Sequence, residues 1–154
     1  NTKVNPPLRS KEDVAAIKQA LKDGTIDCIS TDHAPHTPED KEMGYDLAPF
    51  GIIGLETAVG IVLTELVYQN VLSWAQVAEK MSKRPAQIAG LPTKGEIKEG
   101  MDADITIIDS EKEWEFKKED IVSKSKNSPF IGRTFKGCVD TTICGGKIVY
   151  QVKE

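Results

Sequence analysis

The chain has 154 residues, 39% hydrophobic and 29% charged, an ordinary composition for a soluble unit with room for a hydrophobic core. Twenty basic against 24 acidic side chains give a formal charge of -4, so neither nucleic acid nor an anionic membrane is expected as a partner. Two histidines, His33 and His36, are too few for a closed multi-histidine metal centre, and Glu56 and Glu65 interrupt an apolar run that is already shorter than the ~20 residues of a membrane span.

The first residues, Asn1 to Pro7, show neither an initiator methionine nor the apolar core of a signal peptide, which reads as a chain beginning in mid-protein. Ser10 and Asp13 have capping-box spacing. Val14, Ile17 and Leu21 then share one face of a helix that Gly24 ends. Thr25 to Thr31 is a short β-prone run. Helix, strand, long loop and further helix is the rhythm of an α/β protein with parallel strands, whose chemistry gathers in loops after the strand ends.

That loop begins at Asp32-His33-Ala34-Pro35-His36 and runs through Gly44 to Gly51. At about twenty residues it exceeds the usual βα connection, so it reads either as a disordered segment or as a shaped lid, the latter favoured by Gly51 and Gly54. Leu55 to Gln69 forms a helix buried over much of its circumference. Ser73 and Gln76 cap the next helix, which Arg84-Pro85 is expected to break, with a further turn or two to Gly90. The composition changes at Leu91-Pro92-Thr93. Beyond it, Ala103 to Asp109, Glu113 to Phe116 and Val139 to Cys144 read as strands, and Gly145-Gly146 as a type I′ hairpin turn into Lys147 to Tyr150. Cys28, Cys138 and Cys144 have no CxxC spacing and sit in apolar β-like runs, so free thiols and a cytoplasmic setting are expected.

Asp32-His33-Ala34-Pro35-His36 concentrates the catalytic potential. A carboxylate just past a strand end can ligate a divalent metal and exchange a proton with an activated water. The imidazoles can ligate metal, donate to an anionic substrate or cap the loop. On spacing alone, plain loop hydrogen bonding stays open beside these.

The wider pattern is more specific. Ser30 to His36, preceded by Asn5-Pro6-Pro7-Leu8-Arg9 and followed by Pro49-Phe50-Gly51-Ile52-Ile53-Gly54-Leu55-Glu56, closely resembles the C-terminal part of bacterial class I dihydroorotases of the amidohydrolase superfamily. Lys94 to Asp109 is similar to the superfamily's return into its small β domain, and Ser128 to Gly132 and Gly137-Cys138-Val139 fit the same family. The resemblance covers essentially the whole chain in order.

It implies an α/β fold: the last βα units of a (β/α)8 TIM barrel over residues 1–93, then part of a small β-sandwich domain over 94–154, shared with the other end of a longer chain. It implies zinc-dependent, reversible hydrolysis of the cyclic amide of dihydroorotate to N-carbamoyl-aspartate in de novo pyrimidine (UMP) biosynthesis. One or two zinc ions are implied. Asp32 is the only family ligand with a counterpart here, as metal ligand and as proton shuttle to the leaving nitrogen. Substrate contacts are implied for Asn5, His36 and the backbone around Pro49, Phe50 and Gly51, with His33 in support; Arg9 can aid the substrate carboxylate, but a surface salt bridge is the expectation for it. The H-x-H pair, the bridging ligand and two further histidines lie outside this sequence, so the segment alone is expected to be inactive. Its implied partners are the small-molecule substrate and the rest of the same protein; a homodimer and aspartate transcarbamoylase remain open. Alternatives are another cyclic amidase, an allantoinase or dihydropyrimidinase, and a noncatalytic dihydroorotase-like subunit.

Overall fold

Ser10 starts the first helix as its spacing requires: its hydroxyl accepts the Asp13 N–H at 3.2 Å, and the Asp13 carboxylate accepts the Ser10 N–H at 3.3 Å. In the computed structural model, which describes residues 1–152, this helix is α1 (Lys11–Asp23), and Gly24 ends it. Residues 153–154 of the expected second unit lie outside the described residues. Of the predicted apolar face, Leu21 is buried while Val14 and Ile17 stay about half exposed, at 47% and 54%.

The run from Thr25 to Thr31 does not form the predicted strand. A strand exists only through a ladder, and here the backbone groups turn elsewhere. Ile26 N–H donates to Ala20 O, Ile29 N–H donates to Lys80 O, and the buried Lys80 ammonium donates to Ile26 O at 2.5 Å. One parallel bridge remains, between His33 and Ile52.

The long loop is ordered by a short helix, α2 (Pro38–Glu42), capped by the Thr37 hydroxyl with Pro38 in its first turn. The predicted Leu55–Gln69 helix begins later, at α3 (Ala58–Val62), and continues with π-helical hydrogen bonding over Leu63–Val67. Ser73 and Gln76 do form a capping box at α4 (Trp74–Ala78). The predicted break at Arg84-Pro85 does not occur: a π-helical turn, Glu79–Lys83, leads directly into α5 (Arg84–Ile88). Pro85 falls in the first turn of α5, after the wider turn has shifted the hydrogen-bond register, so its missing N–H and its ring are tolerated.

Three antiparallel strands follow in the order β1 (Ile105–Glu115), β2 (Thr134–Cys144) and β3 (Lys147–Gln151). The two runs predicted as separate strands before residue 117 join into β1 across a register shift between Asp109 and Glu113. There the Asp109 carboxylate accepts the N–H groups of Glu111 and Lys112. Gly145 and Gly146 have φ of 56° and 77°, the positive values a type I′ turn demands.

Two apolar clusters hold these parts together. Leu21, Val62, Leu66, Leu72 and Val77 form one among the helices. Ile53, Phe116, Ile121 and Phe135 form the other, which brings the end of the long loop onto the sheet and the segment before β2. Glu65 crosses between them as an ion-pair hub, taking Lys18 from α1 and Arg133, the residue just before β2. Among the described residues no helix is long and apolar enough to cross a membrane.

Candidate functional site

Asp32 leaves the extended segment with φ of 44°, in the left-handed region that a non-glycine residue seldom adopts. Its side chain is exposed and makes no hydrogen bond to any described residue. The next residue is tied down. Ala34 N–H donates to Ile52 O at 2.8 Å, and His33 Nδ1 accepts the backbone N–H groups of Gly54 at 3.1 Å and Leu55 at 3.3 Å. Nδ1 is therefore unprotonated, and the neutral ring carries its proton on Nε2. His33 anchors the loop from which Asp32 projects.

His36 faces the opposite segment. Its Nε2 donates to Phe50 O at 2.8 Å, so a neutral ring presents Nδ1 as an acceptor. Gly51 is enclosed where these segments meet: with φ of 134°, a Cβ there would lie 2.6 Å from Ala34 Cβ and 2.9 Å from His36 Nε2. The Gly51 N–H donates to Lys3 O at 2.9 Å, which lays the strand-like start of the chain, carrying Asn5, against residues 49–51. Asn5 itself is exposed.

Two lysines support this wall. Lys41 Nζ donates to Pro49 O at 2.9 Å and to Gly51 O at 3.0 Å; burial, helped by the charge of Lys3, pushes its pKa down. The Lys3 ammonium sits 4.7 Å from the Phe50 ring centroid and 5.6 Å from that of Tyr45. With Pro49 O held by Lys41, the trans peptide sends the Phe50 N–H the other way. That N–H has no partner among the described residues and is available to an external acceptor.

The structure thus brings His36, Pro49, Phe50 and Gly51 into one wall to which Lys3, two residues before Asn5, is bonded; Asp32 lies four residues before His36 in the chain. Arg9 makes no ion pair with a described residue, unlike the predicted surface salt bridge. Asn127 was not anticipated. It is buried, at 4% exposure, and its side chain reaches back to the backbone of Ala34, His36 and Gly51. The neighbouring Ser128 to Gly132 motif was legible, but nothing in the sequence tells that an amide 91 residues away turns towards His36. Among the described residues no group of three or more His, Cys, Asp and Glu side chains is placed to hold a metal ion. Asp32, unpaired and exposed, is chemically suited to ligate a metal ion, but a single carboxylate does not by itself make a metal centre. A groove of about 840 Å³ between Trp74, Met81 and the Ile105 end of β1 includes none of these residues.

An α/β segment that ends in a small antiparallel sheet and carries a projecting carboxylate beside a free backbone N–H fits an amidohydrolase class: the amidohydrolase family matches over residues 4–149, and the chain belongs to it. Curated relatives include the dihydroorotase of Endomicrobium trichonymphae, 62% identical over 152 residues, covering 99% of this chain and 36% of that protein. The dihydroorotase of Pelotomaculum thermopropionicum is 55% identical over 151 residues, covering 98% of this chain and 35% of that protein. Among solved structures, the L-hydantoinase (dihydropyrimidinase) from Arthrobacter aurescens superposes with a TM-score of 0.93 at 35% identity, covering 99% of this chain and 35% of that one. A D-hydantoinase (dihydropyrimidinase) from Thermus sp. gives 0.90 at 27% identity, again over 99% and 35%. The chain spans about a third of the length of the curated relatives it matches.

Proposed function

We propose that this chain is the C-terminal part of a dihydroorotase, contributing the last units of a (β/α)8 barrel over residues 1–93 and part of a β-sandwich domain over 94–154. The observation that carries the reading is the free Asp32 carboxylate in a loop whose other end, His36, is bonded to the Phe50 backbone. The 62% identity to a dihydroorotase supports the choice of substrate. The reaction opens the ring of dihydroorotate to N-carbamoyl-aspartate by adding water across its cyclic amide, and the reverse direction serves UMP synthesis in the cytoplasm.

Asp32 would hold one of the one or two zinc ions, with the remaining ligands on other parts of the protein. The chemistry supplied by bound zinc is Lewis acidity, which makes water a competent nucleophile near neutral pH. Asp32 takes the proton from the attacking water and delivers it to the ring nitrogen as the C–N bond breaks. Ionisation suits it to the first task, and exposure to the second. His36, Asn5 and the Phe50 N–H orient the substrate: the Asn5 amide and the Phe50 N–H donate to its carboxylate and imide oxygens, and His36 Nδ1 accepts from a ring N–H.

A second reading rests on the likeness to the hydantoinases, or dihydropyrimidinases. Those rings lack the carboxylate of dihydroorotate. Steady-state turnover of dihydroorotate, hydantoin and dihydrouracil by the zinc-loaded protein containing this segment separates the readings. The first expects dihydroorotate to have the highest kcat/KM; preference for an uncharged ring overturns it, and no turnover of any ring leaves a noncatalytic subunit.

A further inference from the structure

We propose that Asn127 is a positioning residue for substrate capture, clamping His36 and the Pro49–Gly51 backbone into one rigid wall. The inference rests on the reading of these residues as the substrate-binding wall. The Asn127 side chain uses each end of its amide. Its Oδ1 accepts the His36 N–H at 3.2 Å, and its Nδ2 donates to Ala34 O at 3.0 Å and to Gly51 O at 3.2 Å. Two carbonyls on one side and one N–H on the other fix which end is nitrogen. Its own carbonyl accepts the Ile53 N–H at 3.1 Å. One residue therefore joins both sides of the loop across the contact that Gly51 makes possible.

This arrangement asks for an amide. A carboxylate of the same shape can keep the bond to His36 N–H, but it turns an acceptor towards two carbonyl oxygens. An alanine leaves the His36 N–H and Ala34 O, both partly buried, without partners and leaves Gly51 O to Lys41 alone. The Asn127 carbonyl is tied to Ile53, which is buried in one cluster with Phe116, Ile121 and Phe135 of the sheet side. The sheet side of the molecule thus sets the geometry of a loop it does not belong to. Among the described residues the Asn127 side chain hydrogen-bonds to backbone alone, so its effect on substrate passes through His36 and the 49–51 peptides.

The test uses the zinc-loaded protein containing this segment, with Asn127→Asp, Asn127→Ala, His36→Ala and the two Asn127/His36 double variants. The first readout is amide hydrogen exchange by mass spectrometry. Both Asn127 variants are expected to speed exchange in peptides spanning residues 33–37 and 50–54, with bound zinc and exchange in α4 and α5 unchanged. The second is kinetic: KM for dihydroorotate rises about tenfold or more while kcat stays within about threefold, and the double variants fall short of the product of the single effects. Unchanged exchange in those two peptides, or an unchanged KM whatever the thermal stability, overturns the proposal. Wild-type protein that does not turn over dihydroorotate refutes the substrate assignment instead, and the exchange pattern then decides the role of Asn127 alone.

Discussion

His33 Nδ1 stands in front of two backbone donors, the N–H groups of Gly54 at 3.1 Å and Leu55 at 3.3 Å, so the imidazole beside Asp32 is an anchor for the chain entering α3. Removing it takes the acceptor from the partly buried Gly54 N–H and from the more exposed Leu55 N–H. His33→Ala is expected to destabilise the protein by about 1–2 kcal/mol. Because Asp32 projects from the same anchored turn, kcat should fall together with the midpoint of thermal unfolding, while the metal content stays near that of the wild type. A variant with wild-type kcat would show that Asp32 is placed without His33.

Gly51 admits no side chain. A methyl group would meet Ala34 Cβ at 2.6 Å and His36 Nε2 at 2.9 Å, on a backbone whose φ of 134° L-residues rarely take. Gly51→Ala should force His36 away from Phe50 O and raise KM at least as much as His36→Ala, each by about tenfold or more, with smaller effects on kcat. Steady-state kinetics on both variants checks this. A Gly51→Ala enzyme with wild-type KM would mean that the wall does not contact substrate.

Glu65 makes stability depend on pH in a stated direction. Burial alone would raise its pKa, but hydrogen bonds and charge from Lys18 and Arg133 outweigh it and hold the carboxyl below its ordinary value. A depressed folded pKa contributes stability that is present above the unfolded value of about 4.3 and is lost as pH falls through the folded one. The melting temperature of the wild type should therefore drop more steeply than that of Glu65→Gln between about pH 5 and about pH 3. Parallel curves would show that the Lys18–Glu65–Arg133 cluster contributes nothing through ionisation.

Asp32 makes no hydrogen bond to a described residue, so its substitution leaves no donor stranded. Asp32→Ala is expected to reduce turnover to near background, at least about a thousandfold, with little change in thermal midpoint. Asp32→Asn, which keeps the shape and loses the proton acceptor, should be equally inactive. Retained turnover in the asparagine variant would move the proton transfer to another group.

What could be read from the sequence was whatever local chemistry decides. Ser10 and Ser73 cap helices where their partners three residues on require it, and Gly145-Gly146 turns the last hairpin. The site was legible as a stretch of residue types, since Asp32, His36 and Pro49 to Gly51 lie in short runs. Long-range hydrogen bonding was not legible. Thr25 to Thr31 has strand-forming residues, yet Lys80 takes its backbone groups. Pro85 has the composition of a helix break, yet the preceding π-helical turn accommodates it. Asn127 and Lys41 look like loop and helix surface until the fold turns their polar ends onto Gly51 O.

The purified 154-residue chain provides the last test, because it separates what this segment does from what the complete enzyme needs. Tight zinc binding requires three or four ligands converging on one point, and among the described residues no such group exists. Asp32 alone gives a single exposed carboxylate, whose attraction for a divalent ion competes poorly with water. The isolated chain is therefore expected to retain no stoichiometric zinc after dialysis and to show no turnover of dihydroorotate above buffer. Adding the remainder of the protein, with its own ligands, should restore both together if the two parts associate. Metal analysis by mass spectrometry and a carbamoyl-aspartate assay on the same sample measure this. Stoichiometric zinc in the isolated chain would show that its own residues rearrange into a centre, and measurable hydrolysis would remove the need for any ligand beyond Asp32.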